Sequence, residues 1–170
     1  MANWSLTIPT FTPVAVADAV NFTDAGFIAL MGGSTTQRIK IKKVLMGGLA
    51  TASAPTIMLL ARDSQVQVGA STLVTPNSNA PLSASTAPLA AVPIGLVAAA
   101  TTKPQRSNSV TVSKLGTYPF NAFGGIIREE WAPGEEPDLI GNTASLGEIS
   151  LSAFTGTVGL MGSSMTYEPL

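Results

Sequence analysis

The sequence predicts an all-β protein, either a β-sandwich or a barrel, and three observations lead to that class. Short runs alternate between polar and apolar residues, as strands with one buried face do. The 16 glycines and 12 prolines are spread through the 170 residues, and both residue types are unfavourable inside helices. Hydrophobic residues make up 45% of the chain, which is enough to build the core of one domain.

Four runs alternate strictly and therefore predict half-buried strands. In residues 38–42, Ile39 and Ile41 share one face of the strand, and the cations share the other. The other alternating runs cover residues 65–68, 109–113 and 148–153. Further runs are apolar enough to be buried strands, and they cover residues 26–31, 56–61, 92–97, 125–131 and 157–161.

Glycine, proline and asparagine separate these runs and predict the turns between them. Glycine tolerates a positive φ and proline fixes its own φ, so each residue suits a tight turn. The predicted turns cover residues 32–34, 47–48, 76–79, 133–134 and 141–142. Short strands separated in this way are typical of a sandwich or a barrel.

Residues 1–24 are predicted to form an extended N-terminal arm, and residues 25–170 to form the β-sandwich domain. Pro9 and Pro13 interrupt the arm. The arm carries four large apolar side chains, which belong to Trp4, Leu6, Ile8 and Phe11. Because such side chains favour buried surroundings, we expect the arm to dock on a neighbouring copy or on another protein.

Residues 64–102 contain no charged side chain. In the whole chain only 11% of residues are charged, against about 25% in typical soluble domains. We predict a strand, a long ordered Ala/Ser/Thr/Pro-rich loop over residues 75–91, and a second strand, since a structureless connection of that length is unusual. The lack of charge is explained if this excursion lies against another subunit or against another protein partner.

The composition argues against several kinds of function. The chain contains no His and no Cys, so disulfides and thiolate metal sites are excluded and the commonest general base is missing. A net charge of −1 argues against non-specific binding of nucleic acid, which requires clustered Lys and Arg. The longest apolar stretch, residues 87–100, is too short to cross a bilayer. We therefore expect no nucleic-acid partner and no membrane partner.

Acidic residues cluster around the predicted turn at residues 133–134, and they are Glu129, Glu130, Glu135, Glu136 and Asp138. The favoured interpretation is a solvated turn whose charges keep an edge strand from pairing with other chains. Two alternatives stay open, because oxygen-rich loops bind Ca²⁺ and carboxylate pairs hydrolyse glycosides. The spacing matches no EF-hand loop, and the chain has neither a P-loop nor a G-x-S-x-G elbow. We therefore expect no metal, no cofactor and no enzymatic activity.

Two further features suggest contact with a partner. Arg38, Lys40 and Lys42 lie on one face of the alternating strand. Such a face resists edge aggregation or meets a partner's carboxylates. One candidate for that partner is a neighbouring subunit's segment 131–137, which we call the acidic turn. A phosphate-binding surface is less favoured, because the run is short and lacks aromatic residues. Trp131 ends an apolar run before the acidic turn, so we expect it in the core or in an interface.

The order of these features resembles that of small structural proteins of tailed-phage heads. Over residues 27–62, a strand and a Gly/Ser turn lead to the alternating strand, a small-residue loop and a strand ending in Leu60-Ala61-Arg62. A Thr/Ser/Pro/Ala-rich excursion follows over residues 71–91. The similarity continues through the strand 124–131 that ends in an aromatic, the sequence Pro133-Gly134-Glu135, and the closing strands 147–153 and 158–168.

The resemblance implies a jelly-roll fold and the role of a capsid decoration protein, also called a cement protein. Such a protein binds the major capsid protein on the surface of a bacteriophage virion, as a homotrimer, and stabilises the shell. We expect assembly in the host cytoplasm, which agrees with the lack of Cys and of secretory-signal features. The residues that we expect at interfaces are Trp4, Leu6, Ile8, Phe11, Arg38, Lys40, Lys42, Trp131 and Glu135.

The alternative function is a receptor- or glycan-binding module of a phage tail or fibre. Such a module needs an exposed aromatic or acidic site, which Trp131 beside Glu129, Glu135 and Asp138 would supply. A carboxylate-based hydrolase that uses the same acidic cluster is a third hypothesis.

Overall fold

The computed structural model describes residues 3–11, 28–63, 71–73, 79–83, 94–98, 112–141, 148–156 and 159–170. These residues form twelve β-strands and no helix. Sheet A comprises β1 (Trp4–Phe11), β3 (Arg38–Gly48), β6 (Asn79–Pro81), β9 (Ile126–Glu130), β10 (Asp138–Ile140) and β12 (Met161–Pro169). Sheet B comprises β2 (Ile28–Met31), β4 (Pro55–Asp63), β5 (Ser71–Leu73), β7 (Ile94–Ala98), β8 (Val112–Asn121) and β11 (Glu148–Gly156).

The two sheets are antiparallel and pack face to face as a β-sandwich. In sheet A the strand order is β10-β3-β12-β1-β6, and β9 pairs with the second half of β3 on the side that β10 occupies. In sheet B the order is β5-β7-β2-β11-β4-β8. Along the described strands the chain stays in one sheet only from β4 to β5, from β7 to β8 and from β9 to β10, and it changes sheet at every other step. The all-β class and the β-sandwich predicted from the sequence are therefore confirmed.

The hydrophobic core lies between the sheets and takes side chains from both. Sheet A contributes the fully buried Leu6, Ile41 and Tyr167. Sheet B contributes Leu60 and Leu151, which are equally buried and lie opposite each other in register. Burial of large apolar side chains is the main favourable term in folding, so this layer holds the sandwich together.

Strand β1 is the largest departure from the sequence prediction. We expected residues 1–24 to form an arm that docks on a neighbour, but β1 pairs with β12 on one side and with β6 on the other. Trp4, Leu6 and Ile8 are buried in the core of their own chain. The arm prediction is therefore wrong for β1. The physical reason is that these three residues alternate with polar ones, which suits a strand with one buried face.

Strand β3 is the longest described strand and passes through the whole of sheet A. The alternation predicted for residues 38–42 is confirmed, because Ile39 and Ile41 are buried and the cations take the opposite face. The turn predicted at residues 47–48 is wrong, since β3 continues to Gly48 and both glycines pair with β12. Two consecutive glycines favour a turn, but here the backbone is held extended by pairing with β12, which is more than 100 residues away in the sequence.

A bulge interrupts the pairing of β3 with β12. Thr166 pairs with Lys43 and the next residue, Tyr167, pairs with Ile41, so Lys42 is an extra residue in β3. A bulge shifts the alternation of a strand by one residue. The two consecutive polar residues Lys42 and Lys43 are therefore accommodated without placing either of them in the core.

Two of the predicted turns are confirmed by their backbone geometry. Gly134 has a φ of 95° and Gly141 a φ of 69°, a region that side chains rarely tolerate. The Gly134 turn separates β9 from β10, and Gly141 follows β10. The predicted strand at residues 157–161 is wrong for its described part, because only Met161 is in a strand, as the first residue of β12.

The uncharged excursion over residues 64–102 is described in three short pieces. β5 and β7 pair with each other in sheet B, whereas β6 pairs with β1 in sheet A. Strand β6 falls inside the loop predicted at residues 75–91, so part of that loop is a strand. The remainder of the excursion, including the strand predicted at residues 65–68, lies outside the described residues.

Candidate interaction surface

The charged side chains of the described strands gather at one end of the sandwich. Strand register brings the starts of β3 and β11 to the same end as the last residues of β4 and β12. We call this the charged end and define it by Arg38, Lys40, Lys42, Lys43, Arg62, Glu129, Glu130, Glu135, Glu136, Asp138, Glu148 and Glu168. Among the residues whose side chains the structure describes, the one other charged residue is Arg128, which lies midway along β9 opposite Leu45.

Lys42 is the centre of the charged end. Its Nζ lies 2.6 Å from Glu136 Oε1 and 2.7 Å from Glu168 Oε2. Lys40 Nζ lies 3.8 Å from the other Glu136 oxygen. The Glu136 side chain is only 2% exposed, so these ions attract one another more strongly than they would in open water. The bulge in β3 places Lys42 where it can bridge β12 and the acidic turn.

The acidic turn is fastened to β3 by its backbone as well. Trp131 N–H donates to the Lys42 carbonyl at 3.2 Å, and Ile41 N–H donates to the Pro137 carbonyl at 2.8 Å. Gly134 N–H donates to Glu136 Oε2 at 2.6 Å. Residues 131–137 are therefore held by backbone and side-chain contacts together.

A second group of ions joins the two sheets. Asp138 on β10 accepts from Arg38 on β3 at 2.9 Å and from Arg62 on β4 at 3.1 Å. Arg62 belongs to sheet B, whereas Arg38 and Asp138 belong to sheet A. Asp138 therefore links the two sheets at this end of the sandwich, because it contacts one cation from each sheet.

These contacts shift the ionisation of the acidic turn. The Lys42 ammonium holds the pKa of Glu136 at about 2, and the N–H groups of Glu136 and Gly134 act in the same direction. The Glu136 carboxylate, followed by that of Glu168, raises the pKa of Lys42. Each partner thus stabilises the charged form of the other.

The ion pairs bear on the two chemical hypotheses for the acidic cluster. A glycosidase needs one carboxylic acid with a raised pKa as its proton donor, whereas the pKa of Glu136 is lowered. The oxygens of Glu136 and Asp138 already accept from cations of the same chain. The described residues contain no group of three or more acidic side chains placed to hold a metal ion.

The cations predicted as interface residues find partners inside the chain. We expected Arg38, Lys40 and Lys42 either to resist edge aggregation or to meet a partner's carboxylates, with the acidic turn of a neighbouring subunit as one candidate. In the structure the acidic turn of the same chain, together with Asp138 directly after it, supplies carboxylates to all three cations. The sequence indicated which segments attract each other without indicating that β3 and β10 are adjacent strands.

Trp131 lies at the edge of the core. It is partly buried and packs against the core cluster, whereas Glu135 is exposed and donates its N–H to the Ala132 carbonyl at 3.0 Å. Trp131 and Glu135 therefore lie on either side of the Gly134 turn's first residues, with Trp131 against the core and Glu135 in solvent.

Tyr118 also has a shifted pKa. Burial, with a smaller contribution from the nearby Glu129 carboxylate, raises the pKa of Tyr118 to about 12.

The apolar interface candidates of the N-terminal region lie elsewhere. Trp4, Leu6 and Ile8 are core residues of sheet A. Phe11 pairs through its backbone with Met161, and its side chain is outside the description. These residues are brought together by β1, which is separated from β3 by β12 in sheet A.

The opposite end of the sandwich carries no charge in its described part. It contains the loop 49–54 between β3 and β4, the turn 122–125 between β8 and β9, and residues 159–160 before β12. We call these segments, together with Leu45, Gly47, Ile126 and Gly162 beside them, the uncharged end.

Backbone hydrogen bonds hold the segments of the uncharged end together. Ala50 N–H donates to the Ala122 carbonyl at 2.9 Å, and Leu49 N–H donates to the Leu160 carbonyl at 2.8 Å. Ala122 N–H donates to the Ala54 carbonyl at 3.0 Å. The loops are therefore fixed to one another, and they present a defined surface.

Large apolar side chains are exposed on this surface. Ile126 is 76% exposed, Phe123 58% and Leu49 50%, and Leu160 and Leu45 are also exposed. Single exposed leucines are common on protein surfaces, whereas several at one end mark an interaction site. The exposure of these apolar residues was not predicted from the sequence. Three long windows without charge, residues 44–61, 115–127 and 149–167, were the available signal.

An apolar groove crosses the outer face of sheet A beside these side chains. Gly47 on β3 lies directly opposite Gly162 on β12 and forms its floor. Thr7 and Pro9 of β1 line one side, and the groove has a volume of about 300 Å³. Gly162 is required by the fold, because a Cβ there would lie 2.6 Å from the Pro9 carbonyl oxygen.

Comparison of the chain with family models, curated proteins and solved structures finds no match. The described residues include no helix long and apolar enough to cross a bilayer.

Proposed function

We propose that this chain is a virion structural protein that decorates and stabilises a bacteriophage capsid. In this proposal the sandwich has a jelly-roll arrangement, forms a homotrimer and binds the major capsid protein on the outer surface of the shell. The order of sequence features over residues 25–168 supports the choice of family. The β-sandwich agrees with the rigid body that such a role requires.

The observation that carries the proposal is the contrast between exposed apolar side chains and absent charge at the uncharged end. Leu49, Phe123 and Ile126 are about half or more exposed there. The cores of protein–protein interfaces are depleted of charged residues and enriched in aromatic and other large apolar ones. A surface of this composition favours contact with protein.

The charged end supports the same function in a different way. Glu136, Asp138 and Glu168 form ion pairs with cations of their own chain, so they stabilise the fold. The contacts between the acidic turn and β3 restrict the movement of the turn, which suits a protein with a structural role. The lowered pKa of Glu136 speaks against its use as a proton donor.

Co-sedimentation with empty shells tests the proposal. The shells are assembled from the major capsid protein of the phage to which the proposal assigns this chain, and the purified chain is added before centrifugation. We expect the chain to pellet with the shells and to raise the temperature at which they break. A chain that stays in the supernatant and leaves that temperature unchanged contradicts the proposal.

The same experiment can decide for the alternative. A receptor- or glycan-binding module would not pellet with the shells and would bind cell-surface glycans through Trp131. This side chain is partly exposed, and Glu135 in the same turn is exposed. Binding of a glycan array that is lost in Trp131→Ala, together with failure to pellet with shells, would support that module.

A further inference from the structure

We infer that the uncharged end is a contact between copies of this chain, in which an apolar knob of one copy enters the apolar groove of the next. The knob is formed by Ile126 and Phe123, and the floor of the groove is formed by Gly47 and Gly162. The inference rests on the homo-oligomer that is part of the proposed function, and it adds which surface lies between the subunits.

The groove is shaped to receive an apolar side chain. Leu45 and Leu49 stand on one side, Thr7 and Pro9 on the other, and its volume is about 300 Å³. Because Gly47 faces Gly162 across the strand pair, the floor has no side chain over the width of two strands. An apolar side chain that enters removes both itself and the lining leucines from water.

Gly47 is the residue that points to a partner. It lies inside β3, its φ is outside the region that favours glycine, and a Cβ built on it meets nothing within 4 Å. Glycine weakens the interior of a strand and often marks a site where another molecule approaches closely. The chain itself needs glycine at position 162 but has room for a larger residue at position 47.

The knob stands beside the groove on the same molecule. Ile126 of β9 pairs with Gly47 of β3, so it lies one strand away from the groove floor. Phe123 projects from the turn that precedes it, and both side chains are more than half exposed. Each copy therefore presents both halves of the contact in one patch, so that two copies can meet through the same surface of each.

The charge of the uncharged end favours a second copy as the occupant. No charged residue lies in its three loop segments, and the charged residue that borders it, Arg128 opposite Leu45, is paired with Glu130 at 2.9 Å. Two copies therefore meet there without burying an unpaired ion, which would be costly. The net charge of −1 gives little long-range repulsion between copies.

The apolar area is of the size expected for part of such a contact. The exposed portions of Leu45, Leu49, Phe123, Ile126 and Leu160 amount to roughly 500 Å², which is within the range of the largest apolar patch on a typical monomer, and such patches often have a function. A stable interface buries about 800 Å² on each partner. The neighbouring small residues of the loop 49–54 would supply much of the remainder.

Sedimentation velocity of the purified full chain, without shells, tests the inference. We expect the wild-type protein to self-associate, and both Gly47→Phe and Ile126→Glu to weaken association at least about tenfold. The first variant fills the groove and the second places a charge on the knob. Ile140→Glu is the matched control, because Ile140 is an exposed isoleucine of sheet A at the charged end, and it should associate like wild type.

Mixing the two variants tests whether the knob enters the groove. Gly47→Phe keeps its knob and Ile126→Glu keeps its groove, so an equimolar mixture should form heterodimers although each variant alone stays monomeric. Thermal melting of each variant verifies that it is folded. Wild-type protein that is monomeric at its highest soluble concentration overturns the inference, as does an oligomer that both variants leave intact.

The outcome is separable from that of the proposed function. Self-association through the uncharged end without shell binding would retain the inference and reject the capsid role. Shell binding by a strictly monomeric protein would retain the capsid role and reject the inference.

Discussion

The two ends of the sandwich are built on opposite principles. At the charged end, Lys42, Glu136 and Asp138 find their partners within the chain. At the uncharged end, Leu49 and Ile126 remain in water. Satisfied polar groups contribute to holding a fold together, whereas exposed apolar groups gain from meeting another surface. The ion pairs that hold the fold together and the most exposed apolar side chains therefore lie at different ends of one molecule.

One strand connects the two ends and changes character along its length. β3 begins with cations that face carboxylates and ends with two glycines beside the groove. The bulge at Lys42 separates these halves. Substitutions along β3 can therefore probe each end separately, while substitutions in the core affect both.

The largest effect should come from the core that both ends share. Leu6→Ala removes a fully buried side chain of β1, and we expect a loss of about 3 kcal/mol in the free energy of unfolding. Urea unfolding followed by tryptophan fluorescence measures it. Thr7→Ala, on the exposed face of the same strand, is the control, and equal losses in the two variants would contradict burial of β1 in the core.

Gly162→Ala should give the next largest effect, and it acts at the uncharged end. The new Cβ would lie 2.6 Å from the Pro9 carbonyl oxygen, so β1 and β12 must separate. We expect a loss of about 2 kcal/mol in the free energy of unfolding, as for other overpacked sites. A variant as stable as the wild type would show that the two strands are not so close.

Acid should weaken the charged end in a defined window of pH. The pKa of Glu136 is about 2 in the folded protein and 4.5 ordinarily, so the unfolded chain binds the proton first as the pH falls. The stabilisation from Glu136 is therefore complete above pH 4.5 and is lost as the pH falls towards 2. We expect Glu136→Gln to be less stable than wild type at neutral pH.

Urea unfolding at a series of pH values measures this effect. The difference between wild type and Glu136→Gln should shrink as the pH falls through that window. Glu135→Gln is the control, because Glu135 is exposed in the same turn. A difference that is the same at neutral and at acid pH would contradict the role of the Lys42–Glu136 pair.

Gly47→Ala should have the smallest effect, and with the opposite sign. Its Cβ has open space and its backbone is extended, so alanine mainly restricts the unfolded chain. We expect a gain of about 0.5 kcal/mol in the free energy of unfolding. Differential scanning calorimetry beside Gly162→Ala gives a matched pair, and a loss at position 47 would show that the groove floor is already occupied by the fold.

Local pattern predicted much of the fold. The alternation of residues 38–42 and of residues 148–153 predicted the strands β3 and β11, because a strand with one buried face repeats every two residues. The alternation in Trp4, Leu6 and Ile8 carried the same information for β1. Pro9 and Pro13 led to an arm instead, although Pro9 is tolerated because it is exposed beside the irregular pairing of β1 with β12.

The candidate surface was harder to predict because it depends on which strands are neighbours. The partners of Lys42 come from residues 136 and 168, and no local rule relates those three positions. The uncharged end likewise combines three windows that are distant in sequence. Composition identified the charged and uncharged segments, and strand register determined where they meet.

The position of β12 between β1 and β3 has a consequence for synthesis. β1 cannot complete its pairing until β12 has left the ribosome. At about 5–20 residues per second, the roughly 150 residues between them take on the order of ten seconds to make. During that interval β1 lacks the strand that joins it to β3, and Trp4, Leu6 and Ile8 cannot enter the completed core. Transiently exposed apolar strands of this kind are prone to aggregate.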